Sequence, residues 1–195
     1  MRLIAIVALA GAVLVAPVGA QTTPAPGAAT DFNSKLINAP TAPWGIYGPG
    51  QTSKYDDKGG PQNYPATRVT VTVAGKNAWD AGAVTPLTKP IAKGDLIFVA
   101  VYLRAPMLKD GEATVLPFIG VTGATPPYDN VLMGDARISN QWKQYYAVGR
   151  APRDFAAGAA QATVHLASEP HVIDVGPIRV FDLGPDADPS RLPHN

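Results

Sequence analysis

The chain has 195 residues, of which 16 are Lys or Arg and 15 are Asp or Glu, so its formal net charge at pH 7 is +1. This balance argues against nucleic acid or an anionic membrane surface as the partner, because both are bound through an excess of basic side chains. The chain has no cysteine, which excludes disulfides and thiol chemistry, and its 20 prolines and 19 glycines favour short strands and turns over long helices.

The first 20 residues have the pattern of a secretory signal peptide. Arg2 precedes an apolar run over residues 3–15, and small residues end the segment at Ala20. A membrane anchor is the alternative, but a proline and a glycine interrupt the run. We therefore expect cleavage near Ala20 and a secreted or periplasmic mature chain, residues 21–195, that carries no further segment long enough to span a membrane.

The mature chain divides into three parts by composition. Residues 21–31 consist mostly of Thr, Pro, Ala and Gly and predict a flexible leader. Residues 32–183 have the length of one ordinary domain, and residues 184–195 are polar and proline-rich, which predicts a flexible tail. Within the domain, the stretch 45–65 has strong turn signals and is predicted to be loop-like, although it contains three tyrosines.

The longest apolar run after the N-terminus lies at residues 94–106 and predicts the central strand of the domain. Its β-branched and aromatic residues suit a buried pleated surface. Because side chains alternate along a strand, one face is purely aliphatic and is expected to point into the core: Ile97, Val99, Val101 and Leu103. The opposite face becomes more polar towards Tyr102 and Arg104, which makes its end a candidate binding surface.

Further strands are predicted on both sides of this run. Residues 67–73 alternate cleanly, and residues 84–87 are predicted to form a short strand at an edge or a bulge, because prolines interrupt it. In 113–121, Val115, Ile119 and Val121 are expected to share an apolar face, with Pro117 marking an irregularity. In 161–168, one face is predicted to carry Ala162, Val164, Leu166 and Ser168. The opposite face is predicted to carry Thr163, His165 and Ala167. About eight to ten short strands with frequent turns predict an all-β fold, a two-sheet antiparallel β-sandwich.

Several short motifs follow one another in a recognisable order: NAWD at 77–80, KGD at 93–95, LRA at 103–105, QWKQY at 141–145, ATVHL at 162–166 and VGPIRV at 175–180. Over residues 67–183 the sequence resembles carbohydrate-binding modules of the family 4/9/22 group. The resemblance implies a galactose-binding-like jelly roll that binds oligosaccharide or polysaccharide in a groove without catalysis. Many relatives hold calcium through an aspartate where this chain has Gly176, so we expect neither a metal nor another cofactor.

Sugar recognition requires flat aromatic faces and polar groups of fixed geometry outside the core. The residues that meet these requirements, and that we predict to bind carbohydrate, are Trp79, Tyr102, Arg104, Tyr128 and Tyr47. Trp79 either forms a platform or caps the sandwich edge. Arg104 either contacts sugar hydroxyls or pairs with Glu112 across a hairpin. Trp142 is expected to pack.

No catalytic residue is predicted. Glycoside hydrolysis usually needs two carboxylates facing one cleft, and nothing in their spacing pairs the available ones: Asp80, Glu112, Glu169 and Asp174. The three histidines show no metal-binding spacing. The sequence therefore predicts an exported, noncatalytic carbohydrate-binding protein that uses aromatic stacking and hydrogen bonds. The alternatives are a small glycan-active enzyme, either a glycoside hydrolase or a lyase, and a periplasmic structural or protein-interaction module that does not bind sugar.

Overall fold

A computed structural model describes residues 32–195. The predicted signal peptide and the predicted leader lie outside the described residues. Strands dominate the described part, and none of its helices is both long enough and apolar enough to cross a bilayer. The ten strands are β1 Gly45–Tyr47, β2 Gln51–Asp56, β3 Ala66–Val71, β4 Gly82–Pro86, β5 Leu96–Arg104, β6 Thr114–Gly123, β7 Asn130–Ile138, β8 Lys143–Arg150, β9 Ala160–His165 and β10 His171–Asp182.

The strands form two five-stranded sheets that pack face to face. The first sheet has the order β1-β4-β9-β6-β7 and the second sheet the order β2-β3-β10-β5-β8. Every pair of neighbouring strands is antiparallel. This architecture confirms the predicted all-β two-sheet sandwich.

The central strand β5 lies between β10 and β8 in the second sheet. Its predicted core face is confirmed, since Ile97, Val99, Val101 and Leu103 have no exposed surface and pack in the main core between the sheets. Each such aliphatic side chain contributes about 1.5–3 kcal/mol by leaving water. The core face of β9 is confirmed in the same way by Ala162, Val164 and Leu166.

Strand β6 departs from the predicted alternation. Its pairing with β7 shifts register between Leu116 and Ile119, around Pro117, where the sequence indicated an irregularity. Because the extra residue changes which side chains point inward, Leu116 joins the core and Val115 is 45% exposed. The expectation that Val115 shares the core face with Ile119 was therefore wrong. Phe118, next to the core residue Ile119, points to the outer face of the first sheet, as the predicted alternation requires.

The stretch 45–65, expected to be loop-like, contains the edge strands β1 and β2. Strand β2 is almost entirely exposed, and an edge strand that buries no face lacks the apolar alternation by which a strand is recognised in a sequence. Its backbone is nevertheless paired along its length with β3, from Gln51 opposite Val71 to Asp56 opposite Ala66.

The outer face of the second sheet is partly covered by the chain termini of the described part. Phe98, Ala100 and Phe181 form a second apolar cluster, against which Leu36 and Leu192 pack. Residues 184–195, for which the sequence predicted a flexible tail, lie across this face. The Asn195 side chain accepts a hydrogen bond from the Tyr146 N–H at 2.8 Å and donates to the Asp135 carbonyl at 2.7 Å.

Candidate functional site

A cleft of about 820 Å³ runs over the outer face of the first sheet. Strands β1, β4, β9, β6 and β7 all contribute to its floor, because their outward side chains point away from the core. The turn before β4 and the loop between β6 and β7 form its rims. The residues that line the cleft include Tyr47, Trp79, Phe118, Tyr128, Gln161, Thr163 and His165.

The floor of the cleft is built around His165 on β9. Its imidazole stacks on Phe118 with a centroid separation of 4.3 Å and an interplanar angle of 22°, and it meets Trp79 edge-on at 6.3 Å. Burial of the ring lowers the pKa of His165 from 6.5 to about 4. The imidazole is therefore neutral at pH 7, and it provides a flat face together with one N–H donor and one acceptor nitrogen.

Trp79 stands on one rim and is 59% exposed. It belongs to the short 3-10 turn Ala78–Asp80, which is fixed at its start by Asn77. The Asp80 carboxylate accepts hydrogen bonds from the Asn77 backbone N–H at 3.0 Å and from its side-chain amide at 3.3 Å, and these bonds lower the pKa of Asp80. The Ala78 carbonyl accepts from the N–H of Ala167 at 3.0 Å. An exposed tryptophan is thus held on an ordered turn.

Tyr128 stands on the opposite rim and is 53% exposed. Its backbone adopts a left-handed conformation with φ of 56°, which is uncommon for a residue other than glycine. The Tyr128 N–H donates to the Thr125 carbonyl at 2.9 Å. The next residue, Asp129, pairs with Arg153 at 3.0 Å, and the guanidinium of Arg153 lies over the Phe155 ring at 4.0 Å. These contacts anchor the loop that presents Tyr128.

Tyr47 closes the edge of the cleft at β1. Its ring packs directly over Gly82 of β4, where an added Cβ would lie 2.6 Å from the Tyr47 hydroxyl oxygen and 2.6 Å from the Val164 carbonyl. Burial, with a contribution from the charge of Asp80, raises the pKa of Tyr47. The phenol therefore stays protonated at neutral pH and can donate a hydrogen bond.

Polar groups are distributed along the same face. The hydroxyls of Thr122 and Thr163 are buried and lie 2.9 Å apart. Two amide side chains also line the cleft. Gln161 lies two residues before Thr163 on β9, and Asn130 lies at the start of β7. Amides offer both donors and acceptors, so this lining can hydrogen-bond neutral hydroxyl groups.

The structure brings together three of the five residues predicted to bind carbohydrate. Trp79, Tyr128 and Tyr47 all line the cleft. Tyr102 and Arg104 lie instead on the outer face of the second sheet, on the opposite side of the sandwich. Arg104 pairs with Asp174 at 2.7 Å.

The surroundings of Arg104 differ from the predicted hairpin pair. The carboxylate of Glu112 accepts a hydrogen bond from the backbone N–H of Lys109 at 2.9 Å. Trp142, which was expected to pack, is half-buried, and the guanidinium of Arg104 lies over its ring at 4.8 Å. The aromatic ring and the carboxylate of Asp174 together fix the position of Arg104.

Sequence reasoning missed the floor residues of the cleft. His165 was not among the residues predicted to bind carbohydrate, although the alternation of β9 did place Gln161, Thr163 and His165 on the face away from the core. That alternation was the available signal. Phe118 lies on the face opposite Ile119 and Val121, so the alternation of β6 was the available signal for this residue as well.

The lining of the cleft is uncharged at neutral pH. None of the described residues that line it is Asp, Glu, Lys or Arg. Within residues 32–195, no group of three or more His, Asp or Glu side chains lies close enough together to hold a metal ion. The side chains that line the cleft offer aromatic faces and neutral hydrogen-bonding groups.

Comparison with known proteins gives fold similarity without sequence similarity. No protein-family model matches the chain, and no curated protein matches it. Among solved structures, a CBM4 module superposes with a TM-score of 0.53 at 12% identity, covering 77% of this chain and 99% of that module. The second N-terminal cellulose-binding domain of Cellulomonas fimi β-1,4-glucanase C superposes with a TM-score of 0.52 at 18% identity, covering 76% and 91%.

A larger enzyme contains the same fold as one part. An arabinose-bound GH51 α-L-arabinofuranosidase superposes with a TM-score of 0.55 at 10% identity, and the match covers 75% of this chain but 26% of the enzyme. The fold is thus that of the carbohydrate-binding modules, a β-sandwich of the jelly-roll class. This result confirms the resemblance drawn from the sequence motifs.

Proposed function

We propose that the protein binds a neutral glycan chain in the cleft of the first sheet, without catalysing its cleavage. The observation that carries the proposal is the open, uncharged cleft with exposed aromatic rings on both rims, Trp79 and Tyr128. The apolar face of a pyranose ring packs well against such rings, and the sugar hydroxyls then face the amide, hydroxyl and imidazole groups of the floor.

The neutral lining supports binding rather than hydrolysis. A hydrolase of the usual kind places one acid and one base or nucleophile on either side of the scissile bond. The acidic residues next in sequence to the two rim aromatics are engaged elsewhere: Asp80 holds the turn that carries Trp79, and Asp129 pairs with Arg153. Neutral hydroxyl-rich ligands also match the near-zero charge of the whole chain.

The fold neighbours indicate which glycans to test first. The solved structures with a similar fold include a cellulose-binding domain and a xylan-binding domain, so soluble cellulose derivatives, xylan and mixed-linkage β-glucan are the first probes. Pullulan and dextran serve as neutral α-linked comparisons. Affinity electrophoresis against this panel, followed by calorimetry with oligosaccharides of the retained polymer, tests the proposal directly. If no neutral glycan retards the wild-type protein, the proposal fails.

Aromatic substitutions locate the site on the protein. Trp79→Ala and Tyr128→Ala are each expected to weaken binding by about tenfold or more, because removing a stacked aromatic anchor costs about 1–2 kcal/mol. Tyr55→Ala is the matched control, since Tyr55 is similarly exposed but lies on β2 of the second sheet. A control that loses as much affinity as the cleft variants would place the ligand elsewhere. Release of reducing ends during incubation would contradict the noncatalytic part.

Export is the second part of the proposal. The N-terminal pattern that supports it consists of Arg2, the apolar run 3–15 and the small residues ending at Ala20. Expression of the full chain in a Gram-negative host, followed by fractionation and N-terminal sequencing, should give a periplasmic or secreted protein that begins at Gln21. A cytoplasmic, uncleaved product would refute export and leave the binding proposal intact.

A further inference from the structure

A row of charged side chains crosses the outer face of the second sheet, on the side of the molecule opposite the cleft. Strand pairing places Lys54 of β2 opposite Arg68 of β3, Arg68 opposite Asp174 of β10, and Asp174 opposite Arg104 of β5. Directly opposed residues share one face of a sheet, so all four side chains point to the same surface. Trp142 ends the row, stacked against Arg104.

The carboxylate of Asp174 organises the two guanidinium groups. Arg68 donates to it through Nε at 2.7 Å and Nη2 at 2.9 Å, and Arg104 donates through Nε at 2.7 Å. Asp174 is only 3% exposed, whereas both arginines reach solvent. One buried carboxylate therefore fixes the orientation of two guanidinium groups at the surface.

These cations retain unused hydrogen-bond donors. Within residues 32–195, the two Nη groups of Arg104, the Nη1 group of Arg68 and the ammonium of Lys54 donate to no protein acceptor. Lys54 also faces Arg68 directly across the strand pair, and like charges so placed destabilise a sheet. A purely structural ion pair with Asp174 requires neither the free donors nor the third cation.

A pocket of about 120 Å³ opens beside this row. It is lined by Lys54, Arg68, Arg104 and the carboxylates of Asp174 and Asp56, with one wall from the loop at Gly59. Three cations and two carboxylates leave one positive charge in excess. The volume holds a small ionic group together with a few waters, and guanidinium groups with free Nη donors recognise planar or tetrahedral oxyanions.

We propose that this pocket is a second binding site, which binds an oxyanion group of an acidic glycan. The oxyanion is either a carboxylate or a sulfate ester. The oxyanion chemistry rests on the pocket alone, and the glycan as its source rests on the function proposed for the cleft. One monoanionic group neutralises the excess charge. The two sites lie on opposite sheets, so a neutral chain and an acidic chain can be bound at the same time.

The test measures binding of polygalacturonate, dextran sulfate and unsubstituted dextran by calorimetry at low ionic strength. We expect at least one of the two acidic polymers to bind and dextran not to compete. Binding of polygalacturonate alone assigns a carboxylate ligand, and binding of dextran sulfate alone assigns a sulfate ester. If neither binds, or if a short single-stranded DNA binds as tightly, the proposal is overturned.

Variants separate this pocket from general charge attraction. Arg104→Gln and Lys54→Gln are each expected to weaken binding of the acidic polymer by about tenfold, the usual effect of losing one charge-assisted hydrogen bond. Lys54 donates no side-chain hydrogen bond within the described chain, so its variant tests the site even if Arg104→Gln destabilises the fold. Arg137→Gln is the matched control, because Arg137 is an exposed cation on β7 of the first sheet. An equal loss in the control refutes the pocket.

A third set of measurements keeps the two proposals distinct. Trp79→Ala should leave binding of the acidic polymer unchanged, and Lys54→Gln should leave neutral-glycan binding unchanged. In NMR spectra, free glucuronate or sulfate should shift the side-chain Nε–H signals of Arg68 and Arg104 in the wild-type protein. If only neutral-glycan binding fails, the function proposed for the cleft is refuted. If these NMR shifts are absent, the proposed oxyanion site is refuted.

Discussion

The neutral imidazole on the cleft floor makes a quantitative prediction about stability against pH. His165 stacks on Phe118 and has a pKa of about 4 in the folded chain, compared with 6.5 for an ordinary histidine. The unfolded chain therefore takes up a proton as the pH falls below 6.5, before the folded chain does. The contribution of His165 to the free energy of unfolding is therefore fully present above pH 6.5. It falls between pH 6.5 and 4 and is lost below that range.

The size of the effect follows from the pKa difference. For a fully desolvated ring, lowering the pKa from 6.5 to about 4 corresponds to roughly 3 kcal/mol, since each pKa unit is worth about 1.4 kcal/mol. The ring is only half-buried at the floor of an open cleft, so solvent screening reduces the expected contribution to about 1.5–2 kcal/mol. For a domain of this length, that free energy corresponds to a fall of about 3–8 °C in Tm.

The substitution that isolates this contribution is His165→Phe. Phenylalanine keeps an aromatic ring against Phe118 and Trp79 but cannot be protonated. Other groups titrate over part of the same range, including His171, whose pKa burial lowers, and Asp182, whose pKa burial raises. Because they are present in both proteins, subtracting the Tm of the variant from that of the wild type at each pH removes their effect.

The assay is thermal unfolding of both proteins between pH 7.5 and 3.5, with NMR titration of the His165 imidazole. We expect the wild type to lose about 3–8 °C more than His165→Phe over this range, with most of the difference between pH 6.5 and 4. Parallel Tm curves, or an imidazole midpoint near 6.5, would refute the reasoning. Glycan binding by the wild type should be constant from pH 5 to 8, since the imidazole stays neutral.

Three further predictions concern the sheets that carry the two faces. Gly82→Ala should destabilise the protein by about 2 kcal/mol or more in urea unfolding, because its Cβ would lie 2.6 Å from the Tyr47 hydroxyl and the Val164 carbonyl; a neutral result would mean that β1 and β9 both move away from β4. Asp174→Asn should cost about 2–3 kcal/mol by weakening three charge-assisted hydrogen bonds, whereas the exposed Asp56→Asn should cost less than 1 kcal/mol. Leu116→Ala should cost about 2–5 kcal/mol and Val115→Thr almost nothing; the reverse order would show that β6 keeps the simple alternation.

The strands that could be predicted from the sequence are those whose two faces differ in chemistry. In β5 every second residue from Ile97 to Leu103 is aliphatic, so period-two alternation alone identifies the core face. Strand β2 has no buried face, and its existence depends on backbone pairing with β3, which leaves no pattern in its side chains. Strand β6 carries the pattern, but the bulge at Pro117 reverses its phase.

The candidate site could be predicted only in part, for a related reason. Local composition identified Trp79 and Tyr128 as aromatic residues outside the core, and both lie at the cleft. The same reasoning selected Tyr102 and Arg104, because the face of β5 becomes polar towards its end. Which sheet offers an open face depends on contacts distant in sequence, such as the packing of Leu192 against the second sheet, and no local pattern records them.

The position of the cleft explains why its aromatic rims require local support. Trp79 and Tyr128 lie outside the sandwich, so burial between the sheets does not fix their orientation. Each depends instead on an acidic residue next to it in sequence: Asp80 closes the turn onto Asn77, and Asp129 ties the loop to Arg153. Polar contacts at the surface contribute little to the free energy of folding, but they limit the conformations that a platform must lose on binding a ligand. Asp80 and Asp129 are therefore explained as the groups that hold the Trp79 and Tyr128 rings in place.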